Sequence, residues 1–115
     1  MRLRMKRGDA ARFGLFVTAI DPVTGAEVPV DVSGTVLRFT AKERIIDADL
    51  SAVITKTPTI IDGPGGQIEV RLVNADTSSR PAPSVLYWDA QMTKAGENTT
   101  LDSGLLYIDP DVTLA

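Results

Sequence analysis

The sequence predicts an all-β domain built as a sandwich or barrel. Three observations carry that expectation. Apolar residues recur with period two in most ordered stretches, as in half-buried strands. Glycine- and proline-containing turn signals separate these stretches at short intervals. No repeat, heptad or long linker interrupts them.

The clearest strand is residues 85–93, which hold the only tryptophan. Leu86, Trp88, Ala90 and Met92 fall on one face, and Tyr87, Asp89, Gln91 and Thr93 on the other. Residues 101–108 follow a polar, glycine-containing gap and are expected as the return arm of a hairpin. Leu101 cannot share a face with Leu106 and Ile108 without a phase shift, so a bulge is expected, placed at Ser103-Gly104.

The chain begins with an alternation of Arg2, Arg4 and Lys6 with Leu3 and Met5, a short strand with a basic face. Residues 12–20 alternate with apolar side chains on both faces, which predicts a strand covered on both sides for part of its length. Residues 21–25, D-P-V-T-G, form a turn. Residues 27–32 are extended, and Pro29, lacking an amide donor, means that they sit at a sheet edge or run irregularly. Residues 35–43 form a strand with Leu37 and Phe39 in the core. Residues 44–52 read equally as a loop or a helical turn. A short strand over 53–57 ends at Pro58, and D-G-P-G-G at 62–66 is the strongest turn signal. Residues 67–73 return with Ile68, Val70 and Leu72 inward. Asn74 is expected to cap one helical turn before Pro81 and Pro83. The total is seven to eight strands in a single domain over residues 1–115, with a basic arm at 1–7 and a tail at 109–115.

The 115 residues suit one domain able to bury a core without staples. The composition, 43% hydrophobic and 23% charged, is globular rather than disordered. Cysteine and histidine are both absent. That removes thiolate nucleophiles, the commonest general base and the usual zinc ligands. The expectation is a non-enzyme without cofactor or metal. No apolar run has signal-peptide or membrane-spanning length, so no membrane role and no glycosylation of the Asn98-Thr99-Thr100 sequon are expected. Residues 1–7 carry +4 and the whole chain −3, so residues 8–115 carry −7. An acidic body repels phosphate, which argues against nucleic acid as partner.

Several constellations have a chemical reading and a plainer one. Arg7-Gly8-Asp9 is the adhesion tripeptide, but reads first as a turn. Asp47, Asp49 and Asp62 offer oxygen ligands without the spacing of a calcium loop. Glu69 and Asp89 are carboxylates of glycosidase type without an evident cleft. Trp88 shares a face with Leu86 and Met92 and is expected in the core, leaving Tyr87 and Tyr107 for exposed contacts. Gly63-Pro64-Gly65-Gly66 lacks the lysine of a phosphate loop.

The order of these elements carries a resemblance. A basic start leads into Arg7-Gly8-Asp9 and a strand. D-P-V-T-G at 21–25 and V-S-G-T-V-L-R-F-T-A-K at 32–42 follow. Then come A-V-I-T-K at 52–56, G-Q-I-E-V-R-L at 66–72, Y-W-D-A-Q-M at 87–92 and L-D-S-G at 101–104. From Lys6 to about Ile108 the chain resembles the small immunoglobulin-like domain of tailed-bacteriophage baseplate upper proteins and related virion proteins. The resemblance implies an immunoglobulin-like antiparallel β-sandwich and a structural role. It implies an adaptor or accessory of the tail, baseplate, neck or capsid surface, made in the bacterial host cytoplasm and residing in the virion. Its implied partners are other phage structural proteins and further copies of itself in a symmetric particle. The fibre-forming continuation of a baseplate upper protein does not follow, which widens the expected role beyond the baseplate. The residues expected to make contacts are Arg2, Arg4 and Lys6 as a docking strand, and Arg44, Asp47 and Asp49 in the loop over 44–52. Tyr87 and Tyr107 join them, and would hold host surface glycans if the domain is instead a carbohydrate-binding module.

Overall fold

A computed structural model describes residues 2–44 and 52–110. It is an all-β sandwich. Ten strands are present among the described residues: β1 (Arg2–Lys6), β2 (Ala11–Phe16), β3 (Thr18–Ile20), β4 (Glu27–Pro29), β5 (Val36–Lys42), β6 (Ile54–Lys56), β7 (Thr59–Asp62), β8 (Gln67–Leu72), β9 (Ser84–Lys94) and β10 (Glu97–Asp109). A single turn of helix, α1 (Asn74–Thr77), joins β8 to β9.

One sheet has the order β1-β10-β9-β5-β6, the facing sheet β2-β8-β7, and β3 and β4 form a separate two-stranded ribbon. Placing β5, β9 and β10 in one layer and β2, β8 and β7 in the other is the immunoglobulin-like arrangement, with β6 added beside β5. An antibody domain packs a tryptophan of its third strand on an inter-sheet disulfide. This cysteine-free chain stacks Trp88 of β9 on Phe39 of β5, ring centroids 5.5 Å apart. Around that pair Leu86, Leu106, Ile108, Ile68, Val70 and Leu72 are fully enclosed. Truncating an aromatic at such a site costs about 3–5 kcal/mol.

The long hairpin is the backbone of the large sheet. Ala95 (φ 52°) and Gly96 (φ 82°) form its two-residue turn. Both central residues at positive φ suit a type I′ turn, whose twist matches that of the strands. The expected gap therefore shrinks to two residues, and β10 pairs with β9 from Glu97 to Ile108. The phase shift is present, but it lies between Thr100 and Asp102, not at Ser103-Gly104. Leu101 is the extra residue, and the bulge lets it pack on the same core as Leu106 and Ile108.

Other expectations change too. β1 pairs with β10 in parallel, so the sandwich is not wholly antiparallel. β10 runs through Asp109, which accepts from the Arg7 N–H at 2.9 Å, so 109 belongs to the strand and not to a tail. Asn74 is the first helical residue rather than the cap. Val73 precedes it, and the Val73 N–H is held by the Asp76 carboxylate at 2.7 Å. Arg7-Gly8-Asp9 is a turn, with Gly8 donating to the buried Thr77 hydroxyl at 2.8 Å. That bond ties the β1–β2 turn to α1.

The strand expected over 12–20 is divided between two partners. β2 pairs with β8 up to Phe16, and β3 pairs with β4 from Thr18. At the junction Val17 donates to the Gly66 carbonyl at 2.7 Å and accepts from the Val30 N–H at 2.9 Å. This division and the unforeseen β7 raise the strand number to ten. Nor is the strand covered on both sides: Phe16 is 70% and Ile20 61% exposed.

Gly66 makes the change of partner possible. Its φ is +69°, and a Cβ there would stand 2.5 Å from the Val17 oxygen and 2.8 Å from the Val30 oxygen. Gly25 has a similar φ of +72° but nothing within 4 Å of a Cβ. Gly25→Ala is expected to cost about 1–2 kcal/mol, the left-handed penalty alone. Gly66→Ala is expected to cost clearly more, since backbone oxygens must also move. Urea denaturation of both variants, followed by Trp88 fluorescence, checks the difference; equal costs would refute the account.

Candidate functional site

Period-two alternation in the large sheet sends one set of side chains inward and the other to a single outer face. Pairing aligns that outer set in rows. Arg2 lies beside Leu105, Leu105 beside Tyr87, and Tyr87 beside Lys42. Arg4 lies beside Tyr107 and Tyr107 beside Val85, while Lys6 pairs with Asp109. Arg2, Arg4, Lys6, Tyr87 and Tyr107 therefore share one face, although they come from opposite ends of the chain.

Their geometry is specific. The Arg4 guanidinium stands over the Tyr107 ring, 5.1 Å from its centroid, and 3.6 Å from the Asp109 carboxylate. Arg4 and Tyr87 remain open to solvent, and Val85 is exposed beside them. Pairs this exposed contribute little to stability, about 0–1 kcal/mol, because water screens them. They orient the arginine more than they hold the fold.

Next to this basic and aromatic corner lies a groove of about 430 Å³, lined by Thr40, Lys42, Tyr87, Asp89, Ser103 and Leu105. Thr40, Asp89 and Ser103 are successive members of one cross-strand row. The groove lies beside the Leu101 bulge, where the strand bends. Hydroxyls, one carboxylate, one ammonium and a tyrosine ring give it hydrogen-bonding variety.

The other expected residues lie elsewhere. Arg44 is exposed past the end of β5, two residues beyond the last strand residue, and shares no strand with the rest. Asp47 and Asp49 lie outside the described residues, as does most of the 44–52 loop. Asp62 accepts from the Gly65 N–H at 3.1 Å in its own turn. No cluster of three acidic residues suited to a metal ion occurs among the described residues. Glu69 and Asp89 do not face one another. Glu69 is on the outer face of the small sheet, bonded to Arg71 at 2.7 Å, and Asp89 is on the outer face of the large one. Trp88 is in the core, as expected, with its indole N–H buried and without a hydrogen-bond partner.

The groove and its polar row were not foreseen, because cross-strand register is not written in any single stretch. A second unforeseen feature is the loop end, where the ribbon base, the 62–66 turn and the long hairpin tip meet. Val32 donates to the Gly63 carbonyl at 2.9 Å there. The chain matches no known family model and no curated protein.

At that end Ser33 holds the Asp31 carboxyl below the ordinary aspartate range, through its side chain and its N–H at 2.8 Å, with a smaller pull from Lys94. A depressed acid favours the folded state at neutral pH, and that contribution disappears as pH falls through the folded value. Carboxyl-carbon NMR titration should place Asp31 below the ordinary aspartate value, and Ser33→Ala should move it upward. An unmoved midpoint would remove Ser33 as the cause.

Proposed function

We propose that this chain is a non-enzymatic structural protein of a bacteriophage virion, an adaptor or accessory acting through protein–protein contacts. The docking face is the outer side of the large sheet around Arg2, Arg4, Lys6, Tyr87 and Tyr107. One observation carries the reading: residues 2–6 and 87–107 meet on one exposed surface that mixes guanidinium, ammonium and tyrosine. Arginine and tyrosine are the residues that anchor protein interfaces, since each combines apolar area with directional hydrogen bonds. The resemblance in element order to baseplate upper proteins supplies the virion context, and the immunoglobulin-like strand order agrees with it.

Arg4→Glu is expected to lower incorporation into phage particles at least about tenfold, an effect of roughly 1.4 kcal/mol at the contact. The isolated domain should lose no more than about 4 °C in melting temperature, because the Arg4 pairs are exposed. Normal incorporation would count decisively against this face.

A second reading is favoured by the groove. Its hydroxyls, Asp89 and the adjoining Tyr87 ring suit a sugar, with ring stacking and polar contacts together. On that reading a host-glycan array gives signals that Tyr87→Ala abolishes. A flat array leaves only the adaptor.

A further inference from the structure

The β3–β4 ribbon stands outside both sheets. Its six strand residues are all exposed, and three-residue strands in a two-stranded ribbon are marginal in water by themselves. It carries exposed Ile20, Val23 and Val28, next to Phe16 on the same continuous strand. Residues 16–32 hold Asp21, Glu27 and Asp31 and no basic residue. The edges of the ribbon differ. Val30 donates inward to Val17, so in the alternation of a strand Pro29 faces outward on β4, where it removes a donor. β3 has no such block, and its edge, free among the described residues, continues that of β2, which ends its own sheet.

The matching surface is on the same chain. β1 ends the large sheet, its second edge meets no strand among the described residues, and Arg2, Arg4 and Lys6 line its outer side. We infer that the β3 edge of one copy adds to the β1 edge of a second copy. The acidic residues then meet the basic row, and the aliphatic stems of Arg and Lys cover Phe16 and Ile20. Ile20 and Glu27 are cross-strand partners and share a face with Phe16, so one face of the ribbon presents both the apolar and the acidic elements. Acceptor and donor surfaces differ, so the contact is head-to-tail and closes into a ring if the rotation permits. This deepens the adaptor reading by naming the neighbour at β1.

The test uses the purified full chain and two charge variants. Arg2→Glu/Arg4→Glu/Lys6→Glu reverses the strand. Thr18→Lys/Asp21→Asn/Glu27→Arg takes residues 16–32 from −3 to about +1, and the amide at 21 keeps the turn hydrogen bond. Light scattering should give the wild type a mass that is a multiple of 12.3 kDa, and each variant alone the monomer mass. Mixing the two variants should restore the large species, because each supplies the complement the other has lost. Folding is checked by the blue-shifted emission of buried Trp88. A wild type still monomeric at ~1 mM, or folded variants that stay monomeric when mixed, would overturn the inference. The experiment contains no other virion protein, so its failure leaves the incorporation result for Arg4→Glu standing.

Discussion

Register between β9 and β10 decides nearly everything else. Side chains in a strand alternate, so a slip of one residue would send Trp88, Leu86, Leu106 and Ile108 to solvent. Tyr87 and Tyr107 would then face the core. The Ala95-Gly96 turn sets that register locally, and the apolar face enforces it globally. Lys94 opposite Glu97 places Tyr87 opposite Leu105, once the bulge at Leu101 has taken up one residue. β1 and β5 then dock on the two outer edges of the hairpin, with Leu3 and Met5, Leu37 and Phe39 aligned to the same core. The outer face is the necessary complement of this core.

The fold was largely legible because it rests on period two. β1, β5, β8 and β9 follow from their own residues, each with a clean alternation. The need for a bulge in β10 followed from parity, since 101 is odd and 106 and 108 are even. Its place did not follow, because Ser103-Gly104 and Thr100-Leu101 satisfy the same parity, and glycine drew the expectation to itself. β7 was hidden because Thr59-Ile60-Ile61-Asp62 is short and lies between Pro58 and a strong turn signal. The parallel pairing of β1 was not legible at all, since it depends on how the chain crosses from one layer to the other.

The proposed docking face was half legible. Alternation marked Arg2, Arg4 and Lys6 as one side of a strand, and Tyr87 as the exposed neighbour of a core tryptophan. Bringing the two together required the parallel pairing of β1 with β10. Glu69 and Asp89, which do not meet, show the limit of linear reading, since Asp89 shares the outer face of the large sheet and Glu69 does not. Each points outward, but outward in a sandwich means two opposite surfaces with both layers between them.

The exposed apolar residues of the ribbon have a cause in the backbone. Strand β2–β3 is longer than β8 can accompany, because β8 begins only after the 62–66 turn. Beyond Val17 the strand has no neighbour in the small sheet, and β4 replaces β8 at the point where Gly66 allows two carbonyls to approach closely. β4 pairs with the backbone of β3 but brings no second layer, so Ala19 and Ile20 are exposed together, whereas Phe16 is exposed already beside β8, on the outer face of β2. The cover expected on both sides of part of 12–20 is therefore not found, since the even-numbered face is exposed from Arg12 to Ile20. The opposite face is covered by the core up to Val17, with Leu15 and Val17 buried, and beyond it Ala19 is exposed as well.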